Sequence, residues 1–413
     1  MPPRRVWDLY SNRVVPQGIV TEKKPWAISY AWMDPEHLPI HINGSLDLVR
    51  IEMLRLGAEY IWLDVLCLRR HRKEENEPLR EEEWKLDVPT SGYVYHETEI
   101  IVYYFCGLGG AFSLTMDDLH SSRFLMNRAW TLQEISRKWI IAGVTSDGAV
   151  ATPQTAAEQD YKVVLDRIHK QLGLLVDIVH RVDNVFDLLM HHRKRQSEHA
   201  VDHVAALVFP LRFKEIPTYD ETQSVEDLWL AVVNTMRKKH RGDLFFLYPT
   251  PGSERTWRPS WNQVITEQCL PEGNVNLYAD VERHEETDSD WYDRMCIEEG
   301  RVQGLSAEDP KGSLRHGKLV VKDKTGTLHS LEVVAAHLYD IPDDSYKLIA
   351  SGQRKNGAFV TRAPSTEIHW VAGRRLPEQK FEKVSVFTMR DAEEIQMLKK
   401  LRITKRSIQN YLV

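Results

Sequence analysis

The amino-acid sequence predicts an α/β fold in three stretches: a parallel-sheet domain at 1–148, a helical middle with one long helix at 149–300, and a β-rich region at 301–413. Three observations carry this. Short apolar runs alternate with amphipathic ones through the first stretch, the pattern of strands joined by crossover helices. An apolar repeat in alternating steps of three and four runs from Leu165 through Ile168, Leu172, Leu175, Val179, Val182 and Phe186 to Leu189, which is a helical seam. Beyond residue 300 the runs shorten and alternate around turn residues.

In chain order, 26–32 reads as a buried strand, and Ser45 as the cap of a helix that ends at Leu56 before Gly57. Residues 60–66 form a second strand, and the charged run 69–83 a solvated loop or exposed helix end. A helix near 93–98, a third strand at 99–105, the turn Gly107-Leu108-Gly109-Gly110, a helix carrying Trp130 and Glu134, and a short strand near 139–142 follow. The seam at 156–192 fits one long helix, whose spacing suits packing within the chain. Ser224 opens a further helix that Gly242 ends, after a basic run placed at the negative end of its dipole. In the last third, 318–323 and 328–334 flank the turn Lys324-Thr325-Gly326-Thr327, further strands fall at 346–349, 359–360 and 384–387, and a helix closes at 391–401.

Composition excludes several classes. With 54 Lys and Arg against 60 Asp and Glu, the net charge of −6 gives no basic surface for nucleic acid. No stretch approaches the ~18 uninterrupted apolar residues of a membrane span, and the N-terminus lacks a leader pattern. Cys67, Cys106, Cys269 and Cys296 show no zinc or disulfide spacing, which suits a reducing cytoplasm. His192, His199 and His203 fall at helical spacing, but the charges among them favour a solvated face over a metal site, and no metal or resident cofactor is expected.

The chemistry-bearing segment is Arg128-Ala129-Trp130-Thr131-Leu132-Gln133-Glu134. On an α-helix, Trp130 and Glu134 share a face and present an indole and a carboxylate together, a pairing that suits a cationic planar ligand. The plainer reading puts Trp130 in the core and pairs Glu134 with Lys138 or Arg137 on the surface.

Three ordered motifs resemble the fungal heterokaryon incompatibility (HET) domain: Ala27-Ile28-Ser29-Tyr30-Ala31-Trp32, then 60–68 with Trp62-Leu63-Asp64, then 128–134. The resemblance covers roughly residues 24–145 and departs from the family where Arg69-Arg70 stands in place of a common Gln. HET domains in turn resemble TIR domains, flavodoxin-like parallel sheets of which several cleave NAD+ with one essential glutamate, four positions after a Trp. The resemblance therefore implies a TIR-like fold, a role in non-self recognition and cell death, NAD+ as substrate, and Glu134 as the catalytic carboxylate. It implies Ser29, Tyr30, Trp32, Asp64, Arg69, Arg128 and Trp130 as ligand-binding residues, with Trp130 or Trp32 stacking on a ring and Arg69 or Arg128 reaching a pyrophosphate. Two other functions fit the same sequence: a non-enzymatic module that self-associates or recognises a protein partner, and a small-molecule biosynthetic enzyme built on this scaffold.

Overall fold

The computed structural model describes residues 3–20, 23–31, 42–70, 77–144, 156–180, 184–212, 215–253, 256–267, 270–271, 277, 279–306, 314–352, 354–355, 358–359 and 367–413. The chain forms two compact units, 1–182 with 190–235 and 183–189 with 236–413. The helical middle expected at 149–300 is not a unit of its own. Its helices are divided between the two units, and a boundary at 300 falls inside a long strand.

The first unit holds a six-stranded sheet. Strands β1 (Arg5–Asp8) and β2 (Arg13–Pro16) form an N-terminal hairpin, and β3 (Trp26–Tyr30), β4 (Tyr60–Trp62), β5 (Ile101–Tyr104) and β6 (Trp139–Ile141) follow. Their spatial order is β2-β1-β4-β3-β5-β6, with β4, β3, β5 and β6 parallel and the hairpin antiparallel against β4. All four residues of β5 and the first four of β3 are buried, as expected of parallel strands covered on both faces.

Helix α1 (Ile42–Leu56) follows β3 and ends at Gly57, whose φ of 96° only glycine adopts freely; Ser45, expected as its cap, lies inside it. Val49 and Met53 of α1 pack on Ile28, Ile61 and Val102 of the sheet. The helices α2 (Asp64–Cys67), α3 (Glu77–Asp87) and α4 (Ser91–Glu97) lie between β4 and β5. The long helix α5 (Ala156–His180) buries Val164, Ile168, Leu172, Leu175 and Val179, so the seam packs within the chain. It ends at His180, and α6 (Val185–His192) is a separate helix rather than its continuation. Helices α7 (Ala200–Ala205) and α8 (Val225–Thr235) complete the unit. The helix begun after Ser224 stops at Thr235, and α9 (Lys238–Leu247) starts afresh beyond it.

The second unit contains α9, α10 (Trp261–Thr266) and an eight-stranded sheet whose order is β10-β9-β8-β11-β14-β15-β16, with β7 beside β8. Its strands are β7 (Glu282–His284), β8 (Ser289–Gln303), β9 (Arg315–Lys322), β10 (Leu328–Ala335), β11 (Asp344–Ala350), the small pair β12 (Arg354–Lys355) and β13 (Ala358–Phe359), β14 (Ile368–Arg375), β15 (Lys380–Met389) and β16 (Lys405–Leu412). Pairing of β10 with β15 closes the sheet on itself around Leu319, Val333, Leu348, Trp370 and Phe387. Helix α11 (Ala392–Leu401), capped by the Asp391 carboxylate on the Glu393 and Glu394 amides, adds Ile395 and Leu398 to that core. No helix among the described residues is long and apolar enough to cross a membrane.

At the start of α4, a Cβ on Gly92 would lie 2.4 Å from Phe209 Cβ and 2.8 Å from Gln133 Oε1. Phe209 Cβ is attached directly to the backbone and Gln133 is held by three hydrogen bonds, so neither gives way cheaply. Gly92→Ala should lower stability by about 1–3 kcal/mol in chemical denaturation, and a variant as stable as the parent would contradict this packing.

Candidate functional site

Parallel strands direct ligands to the crevice outside their carboxyl ends. A cleft of about 310 Å³ opens there in the first unit, lined from the ends of β3 and β4 by Tyr30, Trp62 and Asp64, and from the segment before β6 by Arg128, Trp130 and Glu134. Sequence positions widely separated along the chain thus meet in one place.

The segment 130–134 is a five-residue 3-10 helix, not the α-helix its spacing suggests. In a 3-10 helix residues three apart eclipse, so Trp130 and Glu134 do not stack on one face. They meet at the cleft because the turn is pinned from several sides. Gln133, wholly buried, accepts from the Gly92 amide (3.0 Å) and the Ser91 hydroxyl (3.2 Å) and donates to the Ala205 carbonyl (2.9 Å). Thr131 donates to the Leu125 carbonyl (2.6 Å), and the Tyr103 hydroxyl to the Glu134 carbonyl (2.7 Å). A bridge between Arg128 and Gln196 brings the segment before α7 alongside, with the Ala129 amide donating to the Gln196 carbonyl at 2.8 Å.

The Glu134 carboxylate accepts from Ser29 Oγ at 2.5 Å, across 105 residues of chain. It does not pair along its own segment with Arg137 or Lys138, both of which are exposed. Part of Glu134 faces the cleft, while protein atoms crowd its carboxyl. That burial raises its pKa to about 7, against the Ser29 hydrogen bond, which favours the ionised form; nearby Asp64 adds to the rise, and Arg128 and Arg195 oppose it.

Asp64 is the second carboxylate. It accepts from the Val65 amide at 2.6 Å, stands 3.9 Å from Arg70 Nη2 and is bonded to the Tyr30 hydroxyl. Burial pushes its pKa up as well, with Arg70 the main opposing influence. Burial and then the Asp64 charge raise Tyr30, so its phenol stays protonated.

Aromatic rings wall the cleft. Trp62 meets Tyr95 edge-to-face at 5.1 Å, and Tyr95 is fixed by its hydroxyl on the Ile28 carbonyl. Trp130 meets Tyr219 at 6.2 Å, whose hydroxyl donates to Asp202 at 2.6 Å. Trp84 of α3 donates its indole N–H to the Arg69 carbonyl at 2.7 Å and carries the Arg80 guanidinium 4.6 Å from its ring centre.

Of the residues expected to bind ligand, Tyr30, Asp64, Arg128 and Trp130 line the cleft, and Ser29 lies behind Glu134. Arg69 does not line it. Its guanidinium bonds to both oxygens of Glu83 (3.0 and 3.1 Å), which Arg5 also holds, and the neighbouring Arg70 faces the cleft instead. Adjacent residues leaving a short helix point in different directions, and Glu83 decides which arginine turns away. Trp32 lies outside the described residues.

Sequence reasoning missed Trp62, Arg70, Trp84, Tyr95, Asp202 and Tyr219 as cleft residues. A tryptophan directly after the charged run 69–83 was a signal for Trp84; nothing local marks Tyr219. The histidine group is not the solvated face expected: His192 is buried with its Nε2 against the His203 carbonyl, His203 Nε2 meets the Arg195 carbonyl, and the exposed His199 lines the cleft. Cys67 is buried and its thiol is pushed up to about 12, too high for a nucleophilic thiolate.

Comparison of the chain with protein-family models, with curated proteins and with solved structures finds no match.

A carboxyl titrating near pH 7 in the folded protein and in the ordinary range when unfolded holds a proton in the native state that the unfolded chain has already lost. Glu134 thus weakens folding progressively as pH rises towards and through about 7. Glu134→Gln, which keeps an acceptor for Ser29, should stabilise the protein by about 2 kcal/mol at pH 8 and much less at pH 5, as read from thermal or denaturant unfolding. A pH-independent difference would contradict a perturbed carboxyl.

Proposed function

We propose that the first unit is a HET-like, TIR-related domain that binds NAD+ in this cleft and hydrolyses its nicotinamide–ribose bond, acting in fungal non-self recognition and cell death from the cytoplasm. The observation that carries the reading is Glu134: a crowded carboxylate with its pKa raised to about 7, opening on a cleft walled by indole and phenol rings. The order β4-β3-β5-β6 of the parallel strands supports it, being the flavodoxin-like order in which ligands sit where the strand order reverses, between β3 and β5.

The chemistry asks for little beyond one carboxylate. Nicotinamide leaves NAD+ as a neutral molecule, so no acid is needed at the leaving nitrogen, while the ribose becomes oxocarbenium-like. An ionised Glu134 beside the ribose stabilises that developing cation, as carboxylates do in glycoside hydrolysis. Ser29 holds the carboxylate in place at 2.5 Å. Trp130 offers its ring for the nicotinamide, with Trp62 in the wall of the cleft, and Arg70 and Arg128 are the two guanidinium groups that line it. The bond from Ser29, in place of an ion pair with Lys138, favours a ligand site over a purely protein-binding helix face.

Purified protein incubated with NAD+ at several protein concentrations, to allow for self-association, should release nicotinamide detectable by chromatography. Release should rise with pH around 7 as Glu134 ionises and fall by about 10²-fold or more in Glu134→Ala. Equal release by the variant, or no release and no thermal shift with NAD+ at any concentration, would overturn the reading.

A further inference from the structure

The charge balance of the cleft deepens that reading, on which this inference rests. Asp64, Glu134, Glu198, Asp202 and Glu221 face the cleft against two guanidinium groups, Arg70 and Arg128. The arginines are already engaged electrostatically with those acids. Arg70 lies 3.9 Å from Asp64, and the charge of Arg128 acts on both Asp64 and Glu134. A phosphate entering would have to draw them from carboxylates that are themselves crowded and left uncompensated by the move. Glu198 and Glu221, both exposed, would repel it further.

A cation meets the opposite environment. Trp62, Trp84, Trp130 and Tyr219 surround the acids with aromatic surface, and aromatic rings combined with carboxylates are what favour an organic cation over an anion. We infer that the cleft recognises the positively charged pyridinium ring and its ribose, so that its minimal substrate is an N-ribosyl pyridinium cation bearing no phosphate, and the dinucleotide is one carrier of that group. The reaction on the minimal substrate balances without a co-reactant. The C1′–N bond breaks with its electron pair going to the ring nitrogen, neutral nicotinamide leaves, and water adds at C1′ and gives a proton to solvent.

The test compares nicotinamide riboside with NAD+ as substrates of the full-length protein, following nicotinamide release, and adds reduced nicotinamide riboside, whose ring is neutral, in a thermal-shift assay. Expected are kcat/KM values for riboside and NAD+ within about tenfold, and stabilisation by the cationic riboside but not by the reduced one. Hydrolysis of NAD+ with the riboside more than about tenfold poorer, or equal stabilisation by both ring forms, overturns this inference and leaves the hydrolase reading standing. Absence of both release and stabilisation with NAD+ and riboside alike removes the hydrolase reading, and this inference with it.

Discussion

The hydrogen bond from Ser29 to Glu134 is the contact on which the site depends. It joins the carboxyl end of a buried parallel strand to a short turn 105 residues further on, and so fixes where a carboxylate sits relative to the sheet. A carboxylate taken out of water loses several kcal/mol of hydration unless charges or donors replace it. Here one hydroxyl and two more distant guanidiniums supply part of that replacement, and neighbouring Asp64 works against it, so the proton affinity of Glu134 rises. The group is held ready to ionise when a positive charge arrives.

The turn that carries Glu134 has almost no intrinsic stability. Five residues of 3-10 helix make few hydrogen bonds of their own, so the geometry comes from outside it. Gln133 bridges α4 and the end of α7, Tyr103 reaches in from β5, and the backbone at Gln196 lies alongside Ala129. A side chain positioned by several rigid elements is held more exactly than one set by a flexible loop. The aromatic walls follow the same logic, since Trp62, Trp84, Trp130 and Tyr219 each come from a different part of the chain and are each oriented by a neighbour.

Much of the first unit was legible in the sequence because its signals are local. Buried apolar runs marked β3, β5 and β6 to within two residues of each end, the run 60–66 began with β4 but carried on into what is the helix α2, and the three-four repeat marked the buried face of α5. Five of the eight expected site residues, Glu134 among them, line the cleft. The misses follow from non-local causes. Whether 130–134 forms an α-helix or a 3-10 turn is decided by partners such as Tyr103 and Gly92, and whether Arg69 or Arg70 enters the cleft is decided by Glu83. The strands of the N-terminal hairpin, β1 and β2, and β14 and β16 of the closed sheet carry weak periodicity and are defined by what they pair with. The division into two units depends on which core each helix joins, and helical periodicity is silent on that.

The most direct measurement is a titration of the Glu134 side-chain carboxyl by carbon-13 NMR, with its resonance assigned by comparison to Glu134→Gln, first alone and then with NAD+ bound. The account predicts a midpoint near 7 in the free protein that moves to lower pH when the cationic ring binds. A midpoint in the ordinary carboxylate range, unmoved by NAD+, would mean that Glu134 is a solvated surface acid and would contradict it.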